Sequence, residues 1–151
     1  MSGKKIAIVT GASSGMGREM VYLLADHFAA LEEIWVIARR KDRLEELVGK
    51  VPVSLRILPF DLSDEEDLCM LSGLLKQEQP NVKILVNGAG YGKTGAAGTI
   101  PGSLSTGMVR LNDEALVAVT EMVLPYISGN SRIIQFASSA SFLPQPGFAI
   151  Y

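Results

Sequence analysis

Short apolar runs alternate along the chain with longer stretches whose apolar residues recur every three or four positions. Lys5–Thr10 reads K-I-A-I-V-T and stops at Gly11. A short, β-branched run without polar alternation predicts a strand buried on both faces. Residues 17–28 carry Met20, Val21, Leu24, Ala25 and Phe28 at helical spacing. Residues 34–38 (I-W-V-I-A) and 54–60 predict a second and a third buried strand. Between them a short helix over 42–48 has Leu44, Leu47 and Val48 on one face. Ser63, with Glu66 three residues on, has the form of a capping box and predicts the start of the next helix. Residues 82–86 and 132–137 predict strands four and five. The glycine-rich stretch 88–107 lacks apolar periodicity and predicts a loop. Residues 108–126 predict a long helix. Val109, Leu111, Ala115, Leu116, Val119, Met122 and Val123 are too many for one stripe, so it is buried on more than one side, against the sheet and against further chain or a second subunit.

Strands without polar alternation are covered on both faces, and alternation with helices makes them parallel. Right-handed crossovers then predict an α/β, doubly wound parallel sheet of about five strands in the order 3-2-1-4-5, with helices on both faces. Length and composition fit one such domain over 1–151: 151 residues, 48% hydrophobic and 20% charged. Fourteen Lys and Arg against 16 Asp and Glu give a net charge of −2, which offers no footprint for nucleic acid or an anionic membrane. No apolar run reaches the ~18 residues of a membrane span, and the first residues lack the apolar core of a signal peptide. A cytoplasmic protein is expected. His27 and Cys69, the single residues of their kinds, both fall in helical patterns. No transition-metal site is expected, and Cys69 is expected to pack.

The candidate chemistry begins where the first strand hands over to the first helix, at T-G-A-S-S-G-M-G from Thr10 to Gly17. Gly11 permits a tight turn. Gly15 lets backbone approach a pyrophosphate, with Met16 beside it. Gly17 lets the helix pack closely on the strand. Unpaired amides and the helix dipole at that point favour phosphate. Ser13 and Ser14 either donate to phosphate or cap the helix. In dinucleotide folds an acidic residue ending the second strand binds the adenine ribose. Here that strand ends in Arg39 and Arg40, and no carboxylate occurs until Asp42. A guanidinium fork suits a 2′-phosphate. NADP is expected over NAD, with Arg39 the first choice for the contact and Arg40 the second. A solvated basic turn is the alternative.

Five features in order carry a family resemblance: the T-G-x-x-x-G-x-G spacing; Asp61-Leu62 after the third strand; Asn87-Gly88-Ala89-Gly90 after the fourth; Asn112 in the long helix; and Ser138, 13 residues before Tyr151. Together they resemble the classical short-chain dehydrogenase/reductase family, over the entire chain. The resemblance implies a Rossmann-like fold, a nicotinamide cofactor and a small-molecule carbonyl or alcohol substrate. It places Asp61 and Leu62 near the adenine, and Asn87, Gly88 and Ala89 under the cofactor. Tyr151 would be the acid or base, Ser138 would hydrogen-bond the substrate oxygen, and Asn112 would help hold a proton relay. Ser139 is the off-by-one rival of Ser138, and Asn112 could simply bond helix backbone. Gly88 stands where the family has asparagine, which is expected to loosen the turn without moving it.

The family's lysine beyond the tyrosine, and its last strands, have no counterpart in these residues. An ordinary phenol, with a pKa of about 10, is a poor base near neutral pH without such help. The expectation is therefore an NADP-dependent oxidoreductase present as a truncated, inactive chain and forming a homo-oligomer. Its fifth strand, with Ile133, Ile134 and Phe136, would be an open apolar edge. The alternative is a non-catalytic nucleotide-binding or interaction module. Phe142, Leu143, Pro144 and the loop 91–99 are candidate pocket walls for an apolar carbonyl or secondary alcohol.

Overall fold

Five parallel strands hydrogen-bond in the order β3-β2-β1-β4-β5, as the apolar runs require. They are β1 (Lys5–Thr10), β2 (Glu33–Ile37), β3 (Ser54–Leu58), β4 (Asn81–Asn87) and β5 (Ile127–Gln135). The helices between them are α1 (Gly15–His27), α2 (Lys41–Glu45), α3 (Glu65–Glu78), α4 (Gly102–Val109) and α5 (Ala115–Val123). This computed structural model describes residues 3–96, 98–143, 145–148 and 151.

The sheet separates two apolar layers. Ile6 and Ile8 of β1 point to one side, where Leu71 and Leu75 of α3 and Val119 and Val123 of α5 cover them. Ala7 and Val9 point to the other, against Val21 and Leu24 of α1 and Leu44 and Leu47 at α2. A strand covered twice has no polar face, which is why β1 reads as one unbroken apolar run. Among the described residues no helix is long and apolar enough to cross a membrane.

Several local expectations are corrected. Asp64, not Ser63, caps α3: its carboxylate accepts from the amides of Glu66 at 2.8 Å and Asp67 at 3.3 Å. A charged oxygen at a helix N-terminus outcompetes a hydroxyl. Ser63 instead donates to Asp61 Oδ1 at 2.5 Å. Cys69 does not pack but lies exposed, because α3 turns Leu71 and Leu75 inward. The glycine-rich loop is shorter than expected, since helix begins at Gly102. In α4 only Met108 is buried, so no apolar period marks it. Thr106 Oγ1 bonds back to the Gly102 carbonyl at 3.1 Å. Gly107 is an approach point: a Cβ there would lie 2.6 Å from the Tyr91 hydroxyl.

The predicted long helix is interrupted. Between α4 and α5, Arg110–Glu114 winds as a π-helical turn. Wide turns of this kind recur at functional sites, and Asn112 lies at its centre. β5 begins earlier than its apolar residues suggest. It pairs with β4 at Val82↔Ile127, shifts register, and resumes at Ile84↔Arg132. Ser128 and Ser131 hold the shifted segment by bonds of 2.8 Å each to Asn81 Oδ1 and the Val82 carbonyl. In the described residues β5 is the sheet's last strand, and Ile133 is 38% exposed.

Candidate active site

The carboxyl ends of β1, β2, β3 and β4 converge on the glycine turn. Gly11 and Gly15 have φ of +69° and +56°, the left-handed region that glycine enters without penalty. Gly11 is also a close approach: an added Cβ would lie 2.4 Å from the Gly88 carbonyl oxygen and 2.8 Å from the Ala89 nitrogen. At Gly17 it would lie 2.4 Å from the Gly11 carbonyl oxygen, so the helix can seat only on glycine. Gly15 differs, for nothing lies within 4 Å of the corresponding position. Its bare backbone faces open space at the start of α1. Ser14, the N-cap by position, makes no side-chain capping bond.

Thr10 locks the glycine turn to the turn after β4. Its hydroxyl accepts from the amides of Gly88 at 3.0 Å and Ala89 at 3.1 Å, and contacts the Val86 carbonyl oxygen at 3.4 Å. Asn87 is buried and donates to Thr120 Oγ1 of α5 at 2.8 Å. Its side chain thus fixes the turn from behind.

The two arginines are held differently. Arg40 Nη2 donates to Ser13 Oγ at 3.1 Å and Ser14 Oγ at 3.0 Å. Arg39 is 65% exposed and lies 3.8 Å from Asp61 Oδ2, a contact worth little in solvent. Asp61 Oδ1 meanwhile accepts from the Ser63 amide at 3.0 Å. Arg18, in the first turns of α1, sends both terminal nitrogens to Glu46 Oε2 at 3.1 Å. Its guanidinium pKa is raised, first by the Tyr22 hydroxyl and then by Glu46.

Two clefts meet at the segment 88–91. The first, about 300 Å³, runs past Gly11, Ser13, Ser14, Arg39, Arg40, Asp61 and Leu62. The second, about 460 Å³, is lined by Met16, Asn112, Ser138, Ser141 and Tyr151, among others. Gly88, Ala89, Gly90 and Tyr91 line both. One extended ligand can therefore lie along the carboxyl edge of the sheet, where ligands of doubly wound folds bind.

Asn112 does not spend its amide on helix backbone. Oδ1 accepts from the Tyr91 amide at 3.0 Å, and Nδ2 donates to the Tyr91 carbonyl at 2.9 Å. Ser138 Oγ accepts from the Ala140 amide at 3.2 Å and caps the short turn Ser139–Ser141. Ser138 borders the cleft, whereas its off-by-one rival Ser139 is not among the lining residues. The Tyr151 ring lies against Gly92, 3.0 Å from the position of an added Cβ, and makes an edge contact with Phe148 at 5.5 Å.

The glycine turn, both arginines, Asp61, Leu62, Asn112, Ser138 and Tyr151 fall at these clefts or in the turns that shape them. A family model for short chain dehydrogenase matches residues 5–151. The chain belongs to the short-chain dehydrogenase family. It is 30% identical over 155 aligned positions to the uncharacterized oxidoreductase YusZ of Bacillus subtilis, covering 98% of this chain and 54% of that protein. A short-chain dehydrogenase from Sphingobium yanoikuyae in complex with NADPH superposes with a TM-score of 0.86 at 27% identity, over 97% of this chain and 59% of the other. A 3-ketoacyl-(acyl-carrier-protein) reductase from Brucella melitensis complexed with NADH gives 0.83 at 26% identity, over 97% and 62%. The short-chain dehydrogenase sequence here spans about half to two-thirds of the curated relatives it first matches.

Some site features were not foreseen. Phe142 and Leu143 were expected as pocket wall, yet they are 86% and 64% exposed and do not line the cleft. The turn capped by Ser138 carries them outward, and Pro144 lies outside the described residues. Tyr91, at the start of the loop 91–99 expected as pocket wall, does line both clefts, whereas the parts of Thr10, Phe136 and Ser141 in shaping the site emerge from the fold. For Thr10 a signal existed: a hydroxyl ending an apolar, doubly covered strand needs a polar partner.

Proposed function

We propose that this chain is the dinucleotide-binding part of an NADP-dependent oxidoreductase acting on a carbonyl or secondary alcohol. The observation that carries it is Arg40, laid across Ser13 and Ser14 beside the open backbone of Gly15. A guanidinium fork and two hydroxyls at the end of β2 suit a 2′-phosphate, and Arg39 stands alongside. The related Sphingobium structure contains NADPH and the Brucella structure NADH. The fold thus accommodates either, and the choice rests on this pair of arginines.

When bound, the nicotinamide supplies or accepts hydride. The protein's part is placement and proton handling. The amides at the start of α1 hold the pyrophosphate through the helix dipole. Asp61 and Leu62 border the adenine. Ser138 donates to the substrate oxygen, and Tyr151 passes it a proton or removes one. Asn112, clamped to Tyr91, fixes the loop wall beside them. A module that only bound nucleotide would need neither Ser138 nor Tyr151 at the cleft, which disfavours the non-catalytic alternative.

The activity is proposed for the whole protein. The 151 residues alone are proposed to bind dinucleotide without turnover, because Tyr151 stands nearly half exposed and a proton donor works best shielded from water. Exposed Val109, Val117 and Leu124 support self-association through α4 and α5. The balanced charge supports a cytoplasmic setting. Dissociation constants for NADPH and NADH test the cofactor choice. Tighter NADPH binding is expected, and tighter NADH binding refutes it.

A further inference from the structure

Gly88 breaks the family's N-N-A-G pattern, and its surroundings explain how the turn survives. A Cβ at position 88 would lie 2.9 Å from the Thr10 carbonyl oxygen and 3.0 and 3.1 Å from Cε2 and Cδ2 of the Phe136 ring. Its φ is outside the left-handed region, so glycine is required by space and not by conformation. On the other side the turn has no slack: the Gly88 carbonyl and the Ala89 amide rest against Gly11, and Thr10 pins both amides. Phe136 directly follows β5. Its amide donates to the Asn87 carbonyl at 3.2 Å, which brings its ring back over the turn. The ring borders the cleft of Asn112, Ser138 and Tyr151. It does not border the cleft of the two arginines.

We propose that Phe136 is a positioning residue for the cofactor. Its ring fills the volume that a side chain at position 88 would occupy and presses the 88–90 wall into place under the nicotinamide half of the dinucleotide. The residues at 88 and 136 are therefore set as a pair, large at one position and absent at the other. Phe136→Ala leaves the wall unsupported. Gly88→Ala drives a methyl into the ring. Together the two changes remove the contact with the ring, while the 2.9 Å approach of the Cβ to the Thr10 carbonyl oxygen remains. This rests on the dinucleotide reading above.

The test is a double-variant cycle on the 151-residue chain, using Gly88→Ala, Phe136→Ala and both, with Phe136→Leu as the gentler substitute if the alanine variant fails to fold. Binding of NADPH and of adenosine 2′,5′-bisphosphate, which reaches only the arginine cleft, is titrated, and ligand-free melting is recorded. Each single variant is expected to weaken NADPH binding about fivefold, and the pair to weaken it by clearly less than the roughly 25-fold product of the singles, a coupling of the size seen for residues in contact. Phe136→Ala is expected to weaken the bisphosphate less than NADPH, because the ring borders only the cleft of Ser138 and Tyr151 although the 88–90 segment lines both. Singles that multiply without coupling, or equal weakening of both ligands, overturn the proposal. If the wild type binds neither ligand, the dinucleotide reading fails separately. The pairing is then judged by melting: coupled midpoints support it and additive ones overturn it.

Discussion

Replacing Arg40 by alanine removes the one guanidinium that touches both serines of the glycine turn. In the structure its Nη2 is within 3.1 Å of Ser13 Oγ and Ser14 Oγ, so the fork is already oriented before any phosphate arrives. Hydrogen bonds to charged partners are worth about 1.5–3 kcal/mol. Arg40 is exposed, and solvent screening places the effect at the low end of that range. About 1.5 kcal/mol is roughly a tenfold loss of affinity. That loss should fall on NADPH alone, because NADH presents one 2′-hydroxyl where NADPH presents a phosphate. NADH is expected to stay within about twofold, a few tenths of a kcal/mol. The assay is a fluorescence titration of both cofactors against wild type and Arg40→Ala. Repeating it at higher ionic strength should shrink the NADPH difference, as screening requires. Equal losses for the two cofactors would refute the 2′-phosphate assignment, as would an NADPH affinity that does not change.

Three further outcomes follow from the same geometry. Gly11→Ala combines a left-handed backbone with a Cβ 2.4 Å from the Gly88 carbonyl oxygen. It should cost at least about 3 kcal/mol in urea unfolding, in the range reserved for strain and overpacking. Gly15→Ala has the same backbone sign but no neighbour within 4 Å. It should cost only about 1–2 kcal/mol, while its methyl, projecting over the helix start, weakens dinucleotide binding in a titration. Thr10→Val keeps the shape but leaves the Gly88 and Ala89 amides without their acceptor. A stability loss of about 2 kcal/mol is expected from calorimetry, since unpaired amides cost about 1–3 kcal/mol each when buried and these are only part-buried.

The strand order was legible because β1, β2 and β4 are covered twice and so read as unbroken apolar runs. The glycine turn was legible because three glycines at fixed spacing serve three separable steric needs, at Gly11, Gly15 and Gly17. What stayed hidden depended on competition or on tertiary contact. Asp64 and Ser63 are both good caps, and only the folded chain shows the charged one taking the helix. Cys69 fits a helical pattern, but its face is set by where Leu71 and Leu75 meet the sheet. The start of α4 carries no sequence signal because the helix buries only Met108. No periodicity announces a π turn, so the setting of Asn112 emerged only with the structure. Sequence ranks Arg39 before Arg40, since it stands nearer the strand. The structure sets Arg40 on the serines and leaves Arg39 beside Asp61, a contact 27 positions apart for the first pair that no local pattern encodes.

The central claim is that a dinucleotide's phosphates rest on the amides where β1 passes into α1. Backbone amide shifts of the isotopically labelled 151-residue chain, followed by NMR during NADPH titration, test it residue by residue. The account predicts that Gly11, Ser13, Ser14, Gly15, Met16 and Gly17 move most, with Gly88 to Gly90 and the arginines next. A folded sample whose glycine-turn amides stay fixed at saturating NADPH, or whose shifts cluster elsewhere, would contradict it.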